Sequence, residues 1–67
     1  MKRFVVVGLG HFGSWAAQSL YAQGHEVLAV EKRAELVDRY GDRVSRGVVG
    51  DATDRDLLEE IGAGEAD

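Results

Sequence analysis

The tightest constraint on this chain is a spacing: three glycines, Gly8, Gly10 and Gly13, stand between a short apolar run and a stretch with helical periodicity. The run, Phe4, Val5, Val6 and Val7, is mainly β-branched and uninterrupted, the pattern of a strand buried on both faces of a parallel sheet. Beyond the glycines, Phe12, Trp15, Ala16, Ala17, Leu20 and Tyr21 recur near the spacing of one helix face over residues 11–23. Gly24 follows where a helix needs a left-handed residue to stop. Val27, Leu28, Ala29 and Val30 then repeat the first run and close on Glu31. Strand, helix and strand fit within about the 30 residues of a βαβ unit, so the two strands pair in parallel.

The pattern continues more weakly. Ala34, Leu36, Val37 and Tyr40 predict a shorter helix stopped by Gly41, and residues 44–49 predict a third strand. Gly47, Ser45 and Arg46 place that strand at an edge, where polarity and interruption are tolerated. Thr53 and Asp56 have capping-box spacing, which makes Thr53 the expected cap of a third helix whose apolar face is Leu57, Leu58 and Ile61, ended by Gly62. The expected fold is therefore α/β, a Rossmann-type βαβαβα half-domain over residues 1–67 with a three-stranded parallel sheet in the order 3-2-1. A complete domain adds a fourth strand beside the first, and the chain is expected to stop short of it. The free edge of strand one is then a pairing hazard that further chain or a second copy must cover.

Composition narrows the functions available. The 67 residues leave room for one domain at most, and the absence of cysteine excludes disulfides, thiolate metal sites and thiol catalysis while fitting a reducing cytoplasm. Twelve acidic and eight basic residues alternate rather than cluster, giving a formal net charge of -4, so nucleic acid is not an expected partner. No apolar run reaches the roughly 18 residues of a membrane span, and Met1, Lys2 and Arg3 lead into a strand pattern instead of a signal peptide. A soluble intracellular module is expected.

The glycine spacing is G-x-G-x-x-G, and its context, strand before, helix after and an acid at the end of the next strand, is what gives it chemical meaning. Gly8 permits the tight turn, Gly10 lets the backbone approach a phosphate, and Gly13 lets helix and strand pack closely. The unpaired amides of the first helical turn then solvate the phosphate charge. Glu31, eighteen residues after Gly13, is positioned to accept hydrogen bonds from ribose hydroxyls, which disfavours a 2′-phosphate. Lys32 and Arg33 are either ligand contacts or solvated charge at a helix start. Asp51 serves either an adenine edge or the amides of its own loop, and Thr53 reads as a cap rather than a ligand. The His11 side chain can pair with phosphate as an imidazolium or face solvent as a neutral ring. Trp15 reads as core packing or a subunit contact. The candidate cofactor-binding residues are thus Gly8, Leu9, Gly10, His11, Phe12, Gly13, Glu31, Lys32, Asp51 and Ala52, with no catalytic or metal-binding set among them.

Three segments together carry a family resemblance: Val6 through Gly13 as VVGLGHFG, Gly24 through Glu31 as GHEVLAVE, and Val49 through Thr53 as VGDAT. They resemble the RCK or KTN (TrkA-N) domain of Trk/Ktr-type potassium-uptake regulatory proteins, the Gly-Asp-Ala-Thr segment with the following helix and the tail from Gly62 to Asp67 being the discriminating part. The resemblance covers essentially the whole chain and about half of the family's N-terminal lobe. It implies a cytosolic, non-enzymatic regulator that binds NAD(H) or ATP/ADP and assembles as dimers or rings of dimers on the inner face of the membrane, against an integral-membrane potassium transporter or channel. Gly8, Gly10 and Gly13 would be its phosphate loop, Glu31 its ribose acceptor, and Asp51 with Ala52 the adenine-side wall. Family members often carry Arg where this chain has His11, which exchanges a permanently charged bidentate donor for a titratable one. The alternative from another class is the cofactor-binding half of an NAD-dependent dehydrogenase, and a third is a fragment that dimerises through strand one and binds nothing.

Overall fold

The two β-branched runs pair in parallel, as their spacing predicts, and the second of them organises everything else. The computed structural model describes residues 1–62 of the chain, so the predicted tail beyond Gly62 lies outside the described residues. The elements in chain order are β1 (Arg3–Val7), α1 (His11–Ala22), β2 (Glu26–Glu31), α2 (Ala34–Tyr40), a 3-10 turn (Gly41–Arg43), β3 (Arg46–Val49) and α3 (Arg55–Glu60). β2 is the central strand, with β1 and β3 parallel to it on either side, in the expected 3-2-1 order. Its register runs from Arg3 opposite Glu26 to Val7 opposite Val30, and from Leu28 opposite Arg46 to Glu31 opposite Val49.

Burial follows from that position. Residues Val27, Leu28, Ala29, Val30 and Glu31 are all buried, whereas β1 is only partly covered and its last residue, Val7, is 64% exposed. The apolar run of strand one predicts burial on both faces. Among the described residues it is instead an edge, and the doubly buried strand is β2. Side chains alternate across a strand, so Val27 and Ala29 face the α1 and α2 layer, where they cluster with Leu9, Ala17 and Val44 and are flanked by Leu20, Leu36 and Val37. Fully burying Val27 and Val30 contributes about 1.5–3 kcal/mol each, which makes β2 the main stabilising element of a small sheet.

α1 buries a different face from the one its large apolar residues suggest. Ser14 and Ala17 are buried, while Phe12, Trp15 and Tyr21 are 78%, 64% and 46% exposed. Trp15 is therefore not a core residue. The reason is distance: the helix lies so close to the turn after β1 that a Cβ on Gly13 would overlap the Gly8 carbonyl oxygen, and only small side chains fit the contact line. Gly24 ends the helix as expected, with φ +92° and its amide bonded to the Tyr21 carbonyl at 3.0 Å.

Gly41 follows the end of α2 as expected, in a right-handed conformation (φ -59°, ψ -30°) that carries the chain into the 3-10 turn. Two further expectations are corrected locally. β3 begins at Arg46 rather than Val44, because Val44 is drawn into the core and the Ser45 hydroxyl is used to accept the Val27 amide at 2.9 Å. The cap of α3 is Asp54 and not Thr53: the Asp54 carboxylate accepts the amides of Asp56 (3.0 Å) and Leu57 (3.3 Å).

Candidate functional site

The carbonyl ends of parallel strands are where α/β sheets bind ligands, and here both loops at that edge hang from the end of β2. The Gly8 amide donates to the Val30 carbonyl at 2.8 Å and the Gly50 amide to the Glu31 carbonyl at 2.9 Å, so the ladder continues one residue into each loop. A cleft of about 450 Å³ opens between them, within the range typical of small-molecule sites. It is lined by Val7, Gly8, Val30, Glu31, Lys32, Arg33, Gly50, Asp51, Ala52 and Thr53.

Glu31 is the buried charge at its floor, with 6% of the residue exposed. Its Oε1 accepts the Leu9 amide at 2.8 Å; its Oε2 accepts the Arg33 amide at 2.8 Å and Arg33 Nε at 3.3 Å. The Leu9 and Arg33 amides, ahead of the guanidinium, hold the carboxyl down at about 2 against the opposing effect of burial. Glu31 is thus an ionised tie between the glycine loop and the start of α2. Nothing in the strand-then-acid pattern distinguishes this role from that of a ribose acceptor, because the Leu9 contact spans 22 positions.

On the far wall, Asp51 does what an Asx turn does: its Oδ1 accepts the Thr53 amide at 2.8 Å and the Thr53 hydroxyl at 2.7 Å. These two bonds, amide first, hold its carboxyl below the usual range, and its other oxygen faces Lys32 Nζ across the cleft at 3.9 Å. Of the alternatives open from sequence, Asp51 serves its own loop with one oxygen and leaves the other at the cleft. Lys32 and Arg33 are both at the rim, with side chains 72% and 61% exposed.

The phosphate-loop candidates divide. Gly8 lines the cleft with φ +91°, a conformation other residues rarely adopt. Leu9 turns its side chain into the core, fully buried, and gives its amide to Glu31, so it presents no free donor. Gly10, His11, Phe12 and Gly13 stand beyond the cleft lining at the start of α1. Among the described residues none of their four amides donates to a protein acceptor, and no side chain caps the helix. Gly10 has an ordinary extended backbone (φ -68°, ψ -169°), and a Cβ placed on it would meet nothing within 4 Å. A phosphate group fits this set: open amides, a helix start and space over Gly10 that no protein atom uses. One role escapes the sequence, Arg33 as a clamp on Glu31; only a basic residue two places after the acid hints at it.

Fold and site together define a Rossmann-like α/β half-domain with an open glycine loop. The TrkA-N domain profile matches residues 4–67, and the chain belongs to the TrkA-N domain family. It is 39% identical over 61 residues to the Ktr system potassium uptake protein A of Bacillus subtilis (strain 168), 34% identical over 64 residues to a Trk system potassium uptake protein TrkA homolog of Pyrococcus abyssi, and 38% identical over 63 residues to the Trk system potassium uptake protein TrkA of Streptomyces coelicolor. These alignments cover 91%, 94% and 92% of this chain and 28% of each relative. No helix among the described residues is long and apolar enough to cross a membrane.

Proposed function

We propose that this chain is the nucleotide-reading part of a regulator of potassium uptake, with the phosphates of an adenine nucleotide, ATP/ADP or NAD(H), on the amides of Gly10, His11, Phe12 and Gly13. The adenosine lies in the cleft between Glu31 and the Asp51 and Ala52 wall. One observation carries this reading. Gly8 and Gly13 have reasons within the fold to be glycine, a positive φ and a steric overlap, whereas Gly10 has none, so its missing side chain is explained by something outside the protein that approaches there. The likeness to Ktr and Trk potassium uptake proteins supports potassium uptake, over a dehydrogenase, as the process served. In this reading the domain binds and does not catalyse, and acts on the cytoplasmic side as a dimer or ring of dimers against an integral-membrane transporter subunit. A ligand moves such an assembly only by binding its two states unequally. Calorimetric titration of the intact chain with ATP, ADP and NADH tests the binding step, with Gly10→Val as the comparison. Binding by the parent and loss of at least tenfold in the variant is expected; equal affinity in both would remove the loop from the site.

A further inference from the structure

The floor of the cleft is guarded. A carboxylate offers about four acceptor positions, and three of those on Glu31 are taken, by the Leu9 amide, the Arg33 amide and Arg33 Nε. The two amides belong to the backbone, one fixed in the turn after β1 and the other at the start of α2, so neither can leave without unmaking local structure. Arg33 Nε is different. Its contact is the longest of the three at 3.3 Å, its side chain is 61% exposed, and it makes no cap bond to α2 that would hold it in place. A ribose with both hydroxyls donating to Glu31 needs two acceptor positions, and only one is open while the guanidinium stays.

Building on the nucleotide reading above, we infer that Arg33 is a latch on the ribose subsite, a specificity-determining side chain that competes with the 2′,3′-diol of an adenine nucleotide for the Glu31 carboxylate. The guanidinium leaves at small cost because its own end of the pair is exposed, the Leu9 and Arg33 amides still hold the buried carboxylate, and the arriving hydroxyls replace the bond it gives up. A sugar lacking both hydroxyls gains nothing from its departure. Arg33 therefore lowers affinity for ribonucleotides selectively, and its removal sharpens the distinction between a ribose and a deoxygenated sugar.

The test is titration of the intact chain and its Arg33→Ala and Arg33→Lys variants with ATP and with 2′,3′-dideoxy-ATP. Both variants keep the backbone amide bond to Glu31, and a thermal melt of each confirms that the fold is kept. Expected is a three- to tenfold gain for ATP in Arg33→Ala, about the size of one net hydrogen bond, with dideoxy-ATP unchanged. Arg33→Lys, which has no Nε in that position, should shift in the same direction. An equal shift for both nucleotides, no shift, or weaker ATP binding would overturn the latch while leaving the nucleotide site standing. Failure of every protein to bind either nucleotide would overturn both.

Discussion

The loops after β1 and after β3 occupy the same edge of the sheet, each leads into a helix, and each hangs from a carbonyl of β2, yet their donors are treated oppositely. After β3, Asp51 satisfies Thr53 and Asp54 satisfies Asp56 and Leu57, so the start of α3 is closed by the chain's own carboxylates. After β1, α1 begins on a bare glycine with no side-chain cap, and four successive amides have no acceptor among the described residues. Uncapped amides at a helix start are ordinarily met by a side chain, water or a ligand. The longer helix, with the larger aligned dipole, is the one left open. The difference separates the two loops: the second holds its own shape, while the first leaves open the donors that the proposed function gives to an anion.

Five perturbations break or sharpen this contrast. Gly13→Ala has the largest expected effect, since its Cβ would overlap the Gly8 carbonyl, a backbone atom that cannot step aside. A loss of about 3 kcal/mol or more in a denaturant melt is expected, at the top of the range for overpacking. Next is acid. Glu31 titrates at about 2 when folded and near 4.5 when unfolded, so its contribution is complete above 4.5 and fades as pH falls from there toward 2. Glu31→Gln, which turns an amide NH2 toward one of the donors, should cost about 2–3 kcal/mol at neutral pH and flatten that acid limb in melts followed across pH.

Gly10→Ala separates fold from binding: open space and an ordinary backbone predict a melting temperature at or above that of the parent. Affinity for ATP should nevertheless fall about tenfold, read by calorimetry. The smallest effect belongs to the closed loop. Asp54→Ala removes the α3 cap for about 1 kcal/mol, with nucleotide affinity within twofold of the parent. A comparable loss of affinity in Asp54→Ala and Gly10→Ala would erase the distinction between the two loops.

Much of this architecture is legible in the amino-acid order alone. The β-branched runs specify parallel strands in the right order, Gly24 marks the end of α1, and the glycine spacing with Glu31 points to the edge of the sheet where the cleft lies. Local signals carry such information because strand and helix periods and left-handed turns depend on neighbours a few residues apart. The misreadings are of another kind. Phe12 and Trp15 look like the buried face of α1, and Thr53 looks like a cap, because hydrophobicity and capping chemistry are necessary for those roles without being sufficient.

The sequence by itself determined the α/β alternation, the parallel pairing and the place of the glycine loop at the start of α1. Only the tertiary structure decided which face of α1 meets the sheet, that Leu9 yields its amide to Glu31, and that Arg33 sits over the same carboxylate. The physical reason is range. Periodicity and turn chemistry act between near neighbours, whereas close packing and the sharing of one carboxylate among three donors depend on which distant segments the sheet brings within about 3 Å.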